Sequence, residues 1–436
     1  MLESARFRFG FSAIALFILL AGDAVRLSLG WWVFGGVTIA MTLISGWLLW
    51  LQRSRWSVAG MPLPMLAFLA VATASIFWSH YPGATALGLF TTWLIVVNSV
   101  ALAVTFTWAE LLHALGGVLR FVLGVSVLFE LFVSVVLRQR ILPVFGQPGV
   151  DYDAYEKLPG MLMWSRNELF EVFGDGRIQG IVGNSNSLGF LALLALIVFG
   201  IQLASRAVSR SSGWFWLVVA AATILMTKSA TVTLAAAGVA VVLIVALLVR
   251  RARTGRGRVV VYLSSAAVLA AGAATAFVLR DRVFELLGKS SDLTGRLGIW
   301  EKVIDLTQQR PAFGWGWVSY WVPWADPFDS LVFRVGVRQL QAHNTWVDVA
   351  FQLGMVGLIV FIALTGAALI KAWHHAVDRP QKAPRTPLKH TALTLLPLLI
   401  LVALIVQSFA ESRLITEYGL ALLLVVAVKT KRRELL

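Results

Sequence analysis

The chain has 436 residues, of which 58% are hydrophobic and 14% are charged, whereas a soluble domain has about 25% charged residues. It contains no cysteine, which excludes disulfides and thiolate metal sites. Its net charge of +15 could indicate a nucleic-acid-binding protein. We reject that interpretation because the basic residues fall in short clusters between apolar runs.

Apolar runs long enough to cross a hydrocarbon core of about 30 Å recur along the whole chain. They predict an all-α polytopic membrane protein with about twelve transmembrane helices, in which residues 1–436 form a single integral membrane domain. The predicted spans are approximately 9–25, 30–51, 61–79, 84–106, 110–137, 187–204, 213–228, 230–249, 259–279, 346–371, 390–410 and 415–429. The first span could pass for a signal peptide, but eleven further spans favour a retained helix.

The basic clusters determine the predicted orientation. With the N-terminus in the cytoplasm, the clusters at residues 6–8, 53–55, 206–210, 250–258, 371–389 and 429–433 all lie inside, as the positive-inside rule expects. Shifting the count by one span would put them all outside. Both termini are therefore predicted to be cytoplasmic, and two long segments, about 138–186 and 280–345, lie outside and contain short helices.

The second outer segment is predicted to be structured. Capping side chains at residues 290–294 precede an apolar stripe that predicts an amphipathic helix starting near Arg296 and lying on the membrane surface. The stripe consists of Ile299, Trp300, Val303 and Ile304. Pro311 ends the helix, and the aromatic loop 315–324 that follows is predicted to have an interfacial character.

Of the six histidines, only His80 and His343 are predicted to face outside. His80 lies in a tight loop, where a role in a turn is favoured. His343 lies just before the tenth span, where Thr345 and Asp348 resemble a capping box. A helix dipole at that point favours a neutral, base-competent ring, although a structural role for a lone histidine stays open.

Further polar residues cluster at the predicted outer ends of spans. Arg177 and the glycine- and asparagine-rich turn up to Asn186, at the start of span six, form a plausible anion site. Lys228 ends span seven, and Glu411 lies in the last outer turn, where it could help to line a site.

Arg120 and Glu130 lie within span five, where ionisable residues are candidates for function. Their separation of about three turns is too large for a direct pair. The outer acids lack a metal-binding spacing except at Asp151-Tyr152-Asp153, so metal-dependent chemistry is not expected.

Taken together, these outer motifs resemble those of O-antigen ligases and their polymerase relatives. The motifs are Thr294-Gly295-Arg296 with Trp300, Pro311 with Gly314-Trp315-Gly316, His343-Asn344-Thr345-Trp346, and the stretch from Arg177 to Asn186. The resemblance covers about residues 170–360. One departure is Thr227-Lys228-Ser229, where many relatives carry an arginine, because a lysine is a point charge that does not reproduce a bidentate arginine.

The resemblance implies a glycosyltransferase of the bacterial inner membrane, with its active site in the periplasm and no metal or other cofactor. The donor would be undecaprenyl-pyrophosphate-linked O-antigen, and the acceptor of a ligase would be lipid A–core oligosaccharide. His343 would be the general base, and Arg177 and Arg296 would bind the pyrophosphate. The residues expected to contact substrate are Asn344, Asn186, Lys228, Trp300 and Glu411.

Four alternatives remain at this point. An O-antigen polymerase or a protein O-oligosaccharyltransferase would use the same donor with a different acceptor. A lipid-linked glycan flippase would need charged residues deep in several spans, and only span five clearly has them. A structural scaffold would leave the outer arginines and His343 unexplained.

Overall fold

The structure, a computed structural model, describes residues 4–147, 149–174, 176–279, 282, 296–334, 336–378 and 390–432. In these ranges the chain forms thirteen α-helices and one short β-hairpin. The helices are α1 (Ala5–Leu29), α2 (Trp31–Leu51), α3 (Leu63–Ala74), α4 (Pro82–Thr105), α5 (Trp108–Phe132), α6 (Ser185–Ala204), α7 (Arg210–Thr227), α8 (Ala230–Arg251), α9 (Gly255–Val278), α10 (Arg296–Gln309), α11 (Thr345–Val377), α12 (Leu396–Ser408) and α13 (Glu417–Arg432).

The helices confirm the predicted class, an all-α polytopic membrane protein. Each of the twelve predicted spans coincides with one helix, and α10 is the predicted outer helix. Within the described ranges, eight helices are long and apolar enough to cross a membrane. Two shorter apolar stretches, Leu63–Phe77 and Leu393–Ser408, contain α3 and α12. The short α13 is buried along its length against α4 and α11.

The apolar core lies within the bundle. α6 is apolar all round and packs between α5, α7 and α12, as expected for a helix enclosed by others. By contrast, none of the described side chains of α9 is buried, and α9 packs mainly on α8.

In span five, Arg120 donates to Gln202 Oε1 at 2.5 Å rather than to Glu130, so the prediction that these two charges do not pair is confirmed.

The two outer segments contain little regular structure. The first has short 3-10 turns at Gly160–Leu162 and Leu169–Glu171. The second has α10 and an antiparallel hairpin of β1 (Phe333–Arg334) and β2 (Val337–Arg338). The predicted capping residues 290–294 lie outside the described residues.

The outer helix α10 packs against protein. Ile299 and Val303 are buried in a second apolar cluster with Phe351 of α11, whereas Ile304 is exposed. Half of the predicted stripe therefore faces α11 and the loop after α10 rather than lipid.

The prediction of an interfacial aromatic loop is wrong for Trp315, Trp317 and Trp321, which are buried, whereas Tyr320 and Trp324 are exposed. Each buried indole N–H has an acceptor, which removes the reason for such a ring to stay near water. The acceptors are Leu306 O at 2.8 Å, Thr92 Oγ1 at 2.9 Å and Asp348 Oδ1 at 2.8 Å.

The tenth predicted span contains a break that periodicity did not indicate. Gly354 of α11 has φ +65°, and a Cβ there would lie 2.3 Å from Ala312 C, so only glycine fits. The loop 311–316 fills the break and satisfies its backbone groups, which irregular backbone at membrane depth requires. The bonds are Met355 N to Pro311 O at 2.8 Å, Val356 N to Ala312 O at 3.1 Å, Trp315 N to Phe351 O at 3.1 Å and Gly316 N to Gln352 O at 2.9 Å.

The predicted orientation can be tested by labelling single cysteines, because the native chain has none. Glu156 of the first outer segment and Arg253 between α8 and α9 are both exposed. We expect a membrane-impermeant maleimide to label Glu156→Cys in intact spheroplasts and Arg253→Cys only after permeabilisation. The reverse pattern would show that the orientation is wrong.

Candidate functional site

The buried carboxylate of Glu411 joins three segments at one end of the helix bundle. Glu411 lies between α12 and α13, and its side chain is 6% exposed. Its Oε1 accepts from Arg296 Nη2 at 3.0 Å and from Asn186 Nδ2 at 2.8 Å. Its Oε2 lies 3.0 Å from His343 Nδ1. Three residues that the sequence analysis proposed separately therefore converge on the carboxylate of a fourth.

The electrostatics of this cluster favour an ionised Glu411. Burial raises the pKa of Glu411, but the charges of His343, Arg296 and Arg413 together with the hydrogen bond from His343 lower it to about 2. A buried carboxylate is stable only when its charge is matched by cations and donors. The cluster is thus an ion-pair network rather than a set of independent polar residues.

Both ring nitrogens of His343 face oxygen atoms. Nδ1 faces Glu411, and Nε2 lies 3.2 Å from Gln339 Oε1. The Gln339 amide is oriented by its Nε2, which donates to Val337 O at 2.9 Å. Glu411 therefore favours a proton on Nδ1, which leaves Nε2 as the nitrogen available for proton exchange. The neutral ring of His343 was predicted from the helix dipole alone, without the Glu411 carboxylate.

The prediction that His343 precedes a helix N-terminus is confirmed. Asn344 is the N-cap of α11, and its Oδ1 accepts from Trp346 N at 3.0 Å and Val347 N at 3.3 Å. The Asn344 amide predicted to contact substrate thus caps the helix.

The predicted capping box of Thr345 and Asp348 is wrong, because the cap falls one residue earlier. Thr345 Oγ1 donates to Glu411 O at 3.0 Å. The buried Asp348 carboxylate accepts from Ala342 N at 3.0 Å and from the Ser412 hydroxyl. Asp348 therefore ties together the two loops that carry His343 and Glu411.

Arg177 lies beside this cluster but does not contact Glu411 directly. Its Nε donates to Ser185 Oγ at 2.9 Å, and its backbone N donates to Glu168 Oε2 at 3.1 Å. Ser185 is the first residue of α6 and adjoins Asn186, the ligand of Glu411. The N-terminus of α6 thus brings Arg177 next to the cluster.

Glu130 holds the turn that carries Arg177. Its Oε1 accepts from Gln179 N and Gly180 N, both at 2.8 Å, and its Oε2 accepts from Ser165 Oγ at 2.6 Å. This buried carboxylate at the end of α5 is satisfied by backbone amides and a hydroxyl, so it acts as an anchor for the first outer segment.

Two predicted substrate contacts lie outside the cluster. Lys228 donates its Nζ to Gly174 O, and Trp300 donates Nε1 to Ala342 O at 3.0 Å. Between α7 and α8 it is Ser229, next to Lys228, that reaches the cluster, because its hydroxyl donates to Asn186 Oδ1 at 2.9 Å. The substrate-binding roles of Lys228 and Trp300 stay predictions.

The sequence analysis missed Gln339 and Gln341. Gln341 Nε2 lies 3.5 Å from Glu411 Oε2, and its Oε1 accepts from Ser412 N at 3.3 Å. Their spacing could have revealed them: Gln339 and Gln341 alternate with His343 along the chain, and alternate residues of an extended segment face the same side.

The described ranges contain no group of three or more His, Cys, Asp or Glu side chains placed to hold a metal ion. The one acidic pair with a suggestive spacing forms a local turn, in which Asp153 N donates to Asp151 Oδ1 at 3.1 Å.

The helices and the charge cluster define an integral membrane protein with a buried ion-pair network at one end of its bundle. Residues 215–362 match the family model described as O-antigen ligase, Wzy_C. The chain is 28% identical over 141 residues to the exopolysaccharide production protein ExoQ of Rhizobium meliloti (strain 1021). That match covers 32% of this chain and 30% of the relative. Part of the chain, residues 215–362, is therefore similar to the O-antigen ligase family.

The family match includes Arg296 and His343 but not the other parts of the cluster. Arg177 and Asn186 precede residue 215, and Glu411 follows residue 362. The structure therefore adds to the matched region the carboxylate that its arginine and histidine share.

We expect Glu411→Gln to lower the free energy of unfolding by about 3 kcal/mol, because it leaves buried cationic partners without a carboxylate. The folded-state pKa of about 2 lies below the ordinary value of 4.5, so the contribution is fully present above pH 4.5 and is lost as pH falls towards 2. Thermal melting of both proteins across this range measures it. The exposed Glu171→Gln is the control, and equal melting of wild type and Glu411→Gln at pH 7 would contradict the ion-pair network.

Proposed function

We propose that the protein is an inner-membrane glycosyltransferase that transfers O-antigen from undecaprenyl pyrophosphate to lipid A–core oligosaccharide on the periplasmic face. The observation that carries this proposal is the meeting of Arg296, His343 and Asn186 on Glu411, with Arg177 beside them. The first three were singled out by motifs in separate segments, and their convergence supports a single site. The match of residues 215–362 to the O-antigen ligase family supports the reaction class.

In the proposed reaction an acceptor hydroxyl attacks the anomeric carbon of the donor sugar. The new glycosidic bond forms as the bond to the pyrophosphate oxygen breaks, and that oxygen leaves with the electron pair. His343 Nε2 takes the hydroxyl proton, while Glu411 keeps the proton on Nδ1 and stabilises the resulting imidazolium. A positioned base of this kind contributes on the order of 10²–10⁴ in rate.

Gln339 occupies the position that the acceptor needs. Its Oε1 lies 3.2 Å from His343 Nε2, so the acceptor hydroxyl must displace Gln339 from the ring. The hydroxyl then donates its hydrogen bond to an Nε2 that carries no proton, whereas Gln339 Oε1 can only accept one. This exchange couples the binding of the acceptor to the readiness of the base.

Arginines in the proposed site stabilise charge on the leaving group without a metal or other cofactor. Arg177 has a neutral hydroxyl as its side-chain partner, so its charge is available to the pyrophosphate. Arg296 is paired with Glu411 and offers its remaining donors. A single displacement from the opposite face predicts inversion at the anomeric carbon.

A second candidate is an O-antigen polymerase, whose acceptor is another glycan. The relative ExoQ is named for exopolysaccharide production, which favours this candidate. A protein O-oligosaccharyltransferase would use the same donor with a protein hydroxyl. The proposed base and arginines serve all three, which differ in the acceptor alone.

We expect purified wild-type protein to transfer undecaprenyl-pyrophosphate-linked O-antigen to lipid A–core in the presence of EDTA. His343→Ala is expected to lose at least about 100-fold in rate, because the acceptor hydroxyl loses its base. Product formation is measured by gel shift of the acceptor.

The matched control is His80→Ala, since His80 is the other histidine predicted to face outside and contacts Asp326 at 3.3 Å. We expect this variant to retain wild-type transfer. Robust transfer by His343→Ala would remove His343 from the mechanism. Transfer to a glycan but not to lipid A–core would select the polymerase.

A further inference from the structure

Three arginines of the two long loop segments lie on stretches of chain that contact one another. Arg177 precedes α6, Arg166 lies earlier in the first outer segment, and Arg334 belongs to β1. We propose that Arg166, Arg177 and Arg334 form an anion site that binds phosphate groups of a substrate. The identity of that substrate rests on the proposed function, whereas the site itself rests on the charges and contacts below.

None of the three guanidinium groups has a carboxylate hydrogen-bonded to it. Arg177 donates Nε to Ser185 Oγ at 2.9 Å, and Arg166 donates Nε to Gly160 O at 2.9 Å. Arg334 is exposed, and no described residue forms a hydrogen bond or ion pair with its side chain. Among the described residues, none of the three side chains therefore forms a direct ion pair with a carboxylate.

The carboxylates near these arginines have other partners. Glu130 accepts from two backbone amides and a hydroxyl, and Glu168 accepts from the backbone N of Arg177. Glu411 is shared by Arg296 and His343. This separates Arg296, which is paired, from the three arginines of the proposed site.

Contacts between the two outer segments bring Arg334 and Arg166 to the same side. Tyr155 of the first segment donates its hydroxyl to Gly336 O, in the hairpin turn beside Arg334, at 3.0 Å. Met161 Sδ lies 3.9 Å from Gln339 Nε2, and the neighbouring Gly160 accepts from Arg166. The hairpin and the loop that carries Arg166 are therefore in contact near the Gln339 side of the His343 ring.

The arginines repel one another. Burial lowers the pKa of Arg177 most, and the positive charges of Arg166 and Arg334 lower it further, whereas Glu168 and Glu411 raise it. Burial also lowers the pKa of Arg166, which Glu168 raises and Arg140 lowers. The nearby carboxylates offset part of the repulsion between the arginines, and a multivalent anion bound between them relieves the rest.

Phosphate or pyrophosphate fits this site best, because planar guanidinium groups bind phosphate oxygens bidentately. Two sources share this chemistry: the pyrophosphate of the lipid-linked donor, and phosphate groups on the acceptor glycolipid. In either case Arg166 and Arg334 add to Arg177 a binding surface that the outer motifs did not indicate.

The test uses inorganic pyrophosphate as the probe and the full-length protein in detergent, with binding measured by calorimetry. We expect wild type to bind pyrophosphate, and Arg334→Gln and Arg166→Gln each to weaken binding by about 10-fold through the loss of charge-assisted hydrogen bonds. Arg334→Lys is expected to restore part of the affinity. Raising the salt concentration should weaken wild-type binding.

The matched control is Arg338→Gln in the same hairpin, because Arg338 donates Nε to Asp329 O at 2.8 Å and stacks over Phe333. We expect its pyrophosphate affinity to stay within twofold of wild type, with unchanged thermal melting in Arg334→Gln. Unchanged affinity in both Arg334→Gln and Arg166→Gln, or no binding by wild type at millimolar pyrophosphate, would overturn the proposal.

Kinetics then distinguish the two sources. A higher KM for the lipid-linked donor in Arg334→Gln assigns the site to the donor pyrophosphate. A higher KM for a phosphorylated acceptor, but not for its dephosphorylated form, assigns it to the acceptor, and either result supports the site. Because the binding measurement needs no turnover, a protein that binds pyrophosphate but transfers no glycan would refute the proposed function and leave the anion site standing.

Discussion

The arrangement of loops and helix ends around Glu411 depends on the need to neutralise one buried carboxylate. Glu411 lies between the last two helices, and its compensating donors come from α10, the start of α6 and the loop before α11. A buried charge that loses a partner is far more costly than an exposed one. The charge of Glu411 therefore holds those segments in one arrangement, although they are far apart in sequence.

Much of the fold and part of the site followed from the sequence alone. The spans were predictable because a bilayer imposes a length and an apolar composition on every crossing helix. Arg296, His343, Asn186 and Glu411 were predictable as candidates because charged and polar residues at the ends of apolar spans are few. The order of the motifs then indicated the family that the comparison supports.

Other features could not be predicted because they depend on contacts between distant segments. Trp317 and Trp321 resembled interfacial residues, but Thr92 and Asp348 supply acceptors that let them be buried. The position of the α11 cap was wrong by one residue because Asp348 bonds to a neighbouring loop. Membrane helices also show no polar face whose period would reveal which side of each meets protein.

The break at Gly354 has a consequence for how the protein is made. The backbone that satisfies this break, residues 311–316, precedes α11 in the chain. During synthesis the loop therefore emerges before the helix that needs it, and α11 can complete its hydrogen bonding as soon as it arrives. If α11 came first, it would wait in the bilayer with unpaired amides and carbonyls. The order of the segments along the chain thus matches the order in which they must assemble.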